Sequence, residues 1–198
     1  MGNITIIDIL ASAVIAGFLM LMVHGSSERI SETLFTSGND LVVQEQLVNL
    51  VNMLEEDLRR IGYCKDQMKI PDISKAVLSA DLHGITFLTD VDNDANVDTV
   101  QYYIGLPSGL VTTPNPRDRT FFRKVNGSAQ GMSIGLTKLD VKYFDIRDDS
   151  LAFPVLDPGM VHSLQLDIQL ESTFPYDDNY TYTAWRQLRM RTRNIRDR

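Results

Sequence analysis

From Ile4 to Val23 the chain is an almost unbroken run of apolar side chains, and the one acid in it, Asp8, falls in its first turn. At ~1.5 Å rise per residue, about 20 residues make a helix roughly 30 Å long, the thickness of a bilayer's hydrocarbon layer. A secretory signal peptide has a basic region, a shorter apolar run and a small-x-small cleavage site. Nothing basic precedes Ile4, so the segment is expected to stay as a single span. A carboxylate inside lipid is disfavoured by several kcal/mol unless it finds a partner. The run contains no Lys or Arg, which leaves an amine on another chain as the counter-charge. Asp8 is therefore the first candidate site, an assembly residue whose pairing would set the register of neighbouring helices as a buried polar residue does in a coiled coil. The alternative is an acid that merely snorkels to the interface.

The apolar run passes without proline into a segment reaching Ile61. Ile30, Leu34, Leu41, Leu47, Leu50, Val51, Leu54, Leu58 and Ile61 recur at spacings of three, four and seven, which predicts one apolar stripe on a continuing helix. Gly38 is the only glycine between Gly25 and Gly62, at a cost of about 1 kcal/mol in a helix interior, and is the expected hinge. Gly62, after Arg59 and Arg60, reads as the stop. One helix of this length would reach roughly 85 Å, its first half suited to lipid or a bundle of like helices, its second half to a globular domain.

Beyond Gly62 the period changes from 3.6 to 2. Strands are expected at Ile85–Thr89, Val100–Ile104, Thr120–Val125, Leu136–Asp145, Ser163–Glu171 and Tyr180–Asn194. A short helix is expected around Ile73–Ala80 after Asp72, and an exposed loop over Gly105–Arg119 with its three prolines. The fold class is α+β: a long N-terminal helix packed on an antiparallel sheet. The organisation is a short leader over residues 1–3, a hydrophobic helix over 4–25, its amphipathic continuation over 26–62 and a head over 63–198. With 198 residues, 43% of them hydrophobic, the remainder after the span fits one core. A formal charge of −7 argues against nucleic acid as the main partner. The lone Cys64 excludes an intramolecular disulfide and suits a small buried filler.

Asp90, Asp92, Asp94 and Asp98 occupy positions one, three, five and nine of an acidic segment between two expected strands. That is how a calcium loop gathers oxygen ligands, with Asn96 offering a carbonyl. Ala95 stands where such a loop has its glycine and Gln101 where it has a closing Glu. Asn and Asp also form hairpin tips unaided, so a calcium site and a plain acidic tip both remain open. In the C-terminal run Arg189, Arg191 and Arg193 alternate with Leu188, Met190 and Thr192, which lines guanidinium groups along one strand face. Nucleic acid is one reading of Arg186 to Arg198; a solvated face pairing with acids of the long helix or of a neighbouring subunit is favoured, given the acidic remainder. His24, His83 and His162 match no zinc spacing, no nucleophile elbow or phosphate loop occurs, and no enzyme is expected.

Ile4-Thr5-Ile6-Ile7-Asp8 resembles the opening of type IV pilins and type II secretion pseudopilins. Leu54-Glu55-Glu56-Asp57-Leu58-Arg59-Arg60-Ile61-Gly62-Tyr63, Leu139–Asp145 and Arg193-Asn194-Ile195 resemble blocks of their W-type minor pilins and J-type pseudopilins. The resemblance implies a pilin-like subunit held in the inner membrane, its head in the periplasm or outside, trimmed and N-methylated by a prepilin peptidase and drawn into a filament of other such subunits. It also implies that the acid at position five of the mature chain pairs with a neighbour's terminal amine. A cut after Asn3 leaves Ile4 first and gives Asp8 that place; a cut after Gly2 makes Asn3 first and Asp8 sixth. The competing reading is a membrane-anchored extracytoplasmic domain that binds calcium or a protein and forms no filament.

Overall fold

A computed structural model describes residues 2–106, 113–175, 180 and 183–191, with only the backbone described for 2–4 and 183. Its first element, α1, spans Gly2–Arg59. The chain divides into two compact units, Met1–Leu41 and Val42–Arg198.

The first unit is helix alone. Its apolar side chains are bare, from Ile6 through Met20, at 78% exposure, to Val23. The hydroxyls of Ser12, Ser31, Thr33 and Thr36 donate to helix carbonyls three or four residues back, so these polar groups are satisfied without water. α1 continues through Gly38 without a break, and a Cβ there would meet nothing.

The second unit is the head. Val43, Leu47, Leu50, Val51, Leu54 and Leu58 are buried in one cluster with Phe87, Val100, Phe121, Leu139, Leu164 and Ile168. The expected single stripe therefore splits. Leu41 and Leu47, six residues apart, lie about 120° apart around a 3.6-residue helix; Leu47 packs on the sheets, while Ile30, Leu34 and Leu41 remain 60–68% exposed. α1 ends at Arg59, and Gly62, with φ of 73°, turns the chain so that its N–H reaches Leu88 O at 2.8 Å. The glycine stop acts as its position predicts, because a left-handed backbone there strains any other residue.

The head contains two antiparallel sheets, where one was expected. The first is a five-stranded meander in sequence order: β1 Val77–Asp81, β2 Gly84–Thr89, β3 Asp98–Ile104, β4 Phe121–Val125 and β5 Ser128–Met132. The second orders β6 Leu136–Phe144, β7 Ser163–Glu171 and β8 Thr183–Arg191. The fold is α+β, as the change of period implies. The helix expected over Ile73–Ala80 is a 3-10 turn of three residues, Ile73–Lys75, capped by the Asp72 carboxylate, after which β1 pairs with β2. Asp72 supplies the cap, but burying Val77 and Ala80 against the core outweighs continued helix.

The expected loop before β4 is not uniformly exposed: Asn115 and Asp118 are at 2% and 0%. Residues 107–112, with Pro107, lie outside the described residues, as do 192–194 at the end of the strand expected over Tyr180–Asn194.

Candidate functional site

From Thr5 onward α1 is long and apolar enough to cross a membrane, and none of that apolar stretch is buried within the chain. Asp8 sits in this stretch on an exposed helix position and makes no hydrogen bond or ion pair among the described residues. The side chains of Asn3 and Ile4 lie outside the described residues, so their processing role stays an expectation. The helix thus presents a bare apolar surface carrying one carboxylate, which has no counter-charge among the described residues.

The acidic segment joins β2 to β3. Asp90, fully buried, accepts hydrogen bonds at Oδ2 from the N–H groups of Lys65 and Ala95, both at 3.1 Å, and at Oδ1 from Asp94 N at 3.2 Å. Asp98 accepts from Val91 N at 2.8 Å and from Asn126 Nδ2 at 2.6 Å. Asp94 holds both nitrogens of Asn96 at 2.7 Å; bonding to Asn96 keeps its carboxyl below the usual range. The structure brings Asp90, Asp92 and Asp98 together, with one oxygen of each within 4.8 Å of the others, a span that ligands at ~2.3–2.6 Å from a common calcium could share. Asp94 does not join that group.

Several of the loop's other oxygens already have cations. Arg60 donates to Asp90 O at 2.6 Å, Val91 O at 2.9 Å and Asn93 Oδ1 at 3.1 Å. Lys65 Nζ donates to Asn93 O at 3.3 Å and Lys69 Nζ to Asn96 Oδ1 at 2.8 Å. Three carboxylates fit a divalent ion; of the neighbouring oxygens that would help complete six to eight ligands, Asp90 O, Val91 O, Asn93 O and Oδ1, and Asn96 Oδ1 are engaged by the protein itself. What the arrangement does without any ion is tie the end of α1 to the first sheet. Asn93 and Ala95 take positive φ of 60° and 69° to make the turn, so Ala95 adopts, at some strain, the backbone for which glycine is suited.

Two buried ionic knots escaped the sequence reading. Asp57, 6% exposed on α1, accepts hydrogen bonds from Tyr102 of β3 and from Arg123 Nε of β4 at 2.7 Å. Arg123 Nε also donates to the Tyr102 oxygen at 3.1 Å. Burial, then the Asp57 charge, pushes the Tyr102 hydroxyl well above the usual phenol range, while the bond to Asp57 pushes the Arg123 guanidinium up. The second knot lies at the end of β7. Glu171, 5% exposed, receives Arg117 Nε at 2.9 Å and Asn115 Nδ2 at 3.2 Å. Beside it burial pushes the Asp118 carboxyl up, against Thr113 Oγ1 at 2.9 Å and nearby backbone N–H groups, which pull it down. Asp57 had a readable signal: it follows Leu50 by seven and Leu54 by three, which places it on the packed face.

On β8, Trp185, Arg186, Arg189 and Arg191 are exposed. The arginine face exists as expected for Arg189 and Arg191, whereas Arg193, Arg196 and Arg198 lie outside the described residues. Arg189 pairs with Asp148 and covers the Phe144 ring at 4.2 Å, so its acid comes from the turn after β6 and not from the helix. His24 pairs with Glu28 at 3.2 Å on the helix surface and His83 contacts Leu139 O at 2.9 Å. Neither they nor His162 belong to a converging group of metal-ligating side chains among the described residues. No protein-family model matches the chain, and no curated protein matches it either.

Proposed function

We propose that the chain is a non-enzymatic structural subunit, a minor pilin or pseudopilin of a type IV pilus or type II secretion-like filament, that primes or caps assembly. α1 anchors it in the inner membrane with the head in the periplasm or outside. A prepilin peptidase processes it near Asn3 and Ile4, and other subunits pack on its N-terminal helix. The observation that carries this reading is the bare apolar helix with Asp8 unpartnered among the described residues. Such a surface is at rest only in lipid or against other apolar helices, and such an acid only beside a cation.

Two measurements test it. Mass spectrometry of the chain recovered from membranes should find a new N-terminus at Ile4, with a methylated amine. Asp8→Ala should abolish recovery with sheared filaments while the head keeps its circular dichroism. An intact Met1 together with an Asp8→Ala variant that behaves as the parent chain would overturn the reading.

The convergence of Asp90, Asp92 and Asp98 favours a second reading, an anchored extracytoplasmic domain that binds calcium or a protein. Calorimetric titration with calcium chloride decides its metal arm: binding lost in Asp92→Asn supports it, and absence of heat at millimolar calcium removes it.

A further inference from the structure

β7 holds β8 along one side, in unbroken register from Ser163 opposite Arg191 to Glu171 opposite Thr183. Along the other side of β8 no strand and no backbone hydrogen bond joins it among the described residues. At the opposite edge of the same sheet, β6 is covered. Val141 N bonds Leu82 O, Tyr143 O accepts from Leu151 N and Leu136 O accepts from Arg119 N, each at 2.8 Å, and the His83 ring contacts Leu139 O. Exposed edges are ordinarily blunted by proline, a bulge, short length or charged side chains, and of these β8 has only the last. The nine residues of β8 contain no proline, and their pairing shows no shift.

We infer that the free edge of β8 accepts an extended acidic segment of a partner protein, added as a further strand of this sheet. Main-chain bonds of an added strand give affinity, and the flanking side chains choose the sequence. Here those side chains are Arg186, Arg189 and Arg191, with no acid on the strand, in a chain of net charge −7. Arg189 is taken by Asp148; Arg186 and Arg191 have no partner among the described residues. On the sheet face shared by Arg189 and Arg191, opposite to that of Arg186, the indole of Trp185, 59% exposed, offers a flat apolar platform. A second copy is the wrong occupant, since edge-to-edge pairing of two such strands gathers their guanidinium groups along one seam, and like charges across strands repel. An acidic strand satisfies both the unpaired edge and the unpaired arginines. This surface does not depend on the helix and stands whether or not the chain enters a filament.

Trp185 is the sole tryptophan, so its emission reports on β8. The full chain in a non-ionic detergent is titrated with a nine-residue peptide of alternating glutamate and valine. A saturable emission change at micromolar peptide is expected, with slowed amide exchange along β8. Combining Arg186→Gln with Arg191→Gln should weaken binding about tenfold, and a peptide of equal charge with a central proline should not bind. No response up to millimolar peptide would overturn the inference and leave the arginines as guards against aggregation. Equal binding of the proline peptide, or of one with lysine for glutamate, would overturn it by removing the strand or the charge requirement. Tighter binding of single-stranded DNA with the same emission change would assign the face to nucleic acid instead.

Discussion

Asp57 shows how far one side chain can depart from its neighbours in sequence. It closes an acidic triplet with Glu55 and Glu56, yet it lies at 6% exposure under Tyr102 and Arg123. A buried charge left without its partner costs about 3–5 kcal/mol, whereas replacing both partners by apolar groups is often neutral. Arg123→Ala should thus destabilise the head by about 3 kcal/mol in urea unfolding, and a combined Asp57→Leu, Tyr102→Phe, Arg123→Met variant should recover most of it. Burial also raises the ionisation of Tyr102 and Tyr143 above the ordinary phenol value. A pKa raised on folding gives stability that is whole below the unfolded value near ~10 and drains as pH climbs past it. The free energy of unfolding should therefore hold from pH 7 to 9 and fall above pH ~10, by about 1.4 kcal/mol per pH unit for each tyrosine; Tyr143→Phe should shallow the slope. Tyr102 and Arg123 were not legible as Asp57's partners, because a contact across 45 or 66 residues leaves no mark in spacing.

Among elements, legibility followed how much of the structure is set locally. β2, β3, β4, β6, β7 and β8 stand where alternation of apolar and polar residues predicts them, with ends shifted by a few residues. β5 was missed, since Ser128-Ala129-Gln130-Gly131-Met132 has no alternating core face; it is a strand because β4 pairs with it. A signal was nonetheless present in Asn126-Gly127, which connect Val125 to its partner Ser128 with φ of 49° and 89°, the two-residue hairpin turn such a dipeptide favours. Glycines separate two kinds of element. At Gly135, with φ of 72°, a Cβ would lie 2.0 Å from Glu171 O, so Gly135→Ala should lower stability by more than about 2 kcal/mol in urea unfolding. At Gly38 a Cβ meets nothing, so Gly38→Ala should raise helix stability by about 1 kcal/mol, read as slower amide exchange around residue 38.

For the molecule as a whole, the boundary inside α1 matters more than the end of α1. The sequence reading put the head at 63–198, but the compact unit begins at Val42, and Val43 to Leu58 supply six of its core side chains. A fragment starting at Val42 should be soluble and unfold in one cooperative step, one starting at Tyr63 should not fold, and the full chain should partition into detergent where the first fragment does not. Circular dichroism and phase separation in detergent check all three. That the second half of the helix belongs with the head was readable; the start at Val42 was not, because periodicity counts apolar residues without saying which stripe has a sheet to meet. The latch of Arg60 onto Asp90, Val91 and Asn93 then has a mechanical meaning. Within the head, the stretch of α1 from Val43 to Leu58 is held to the sheets by core side chains that must all slide at once, with a cationic rivet at the far end. Rupture of such a joint calls for shearing the whole seam together, so it yields at higher force than one that unzips row by row.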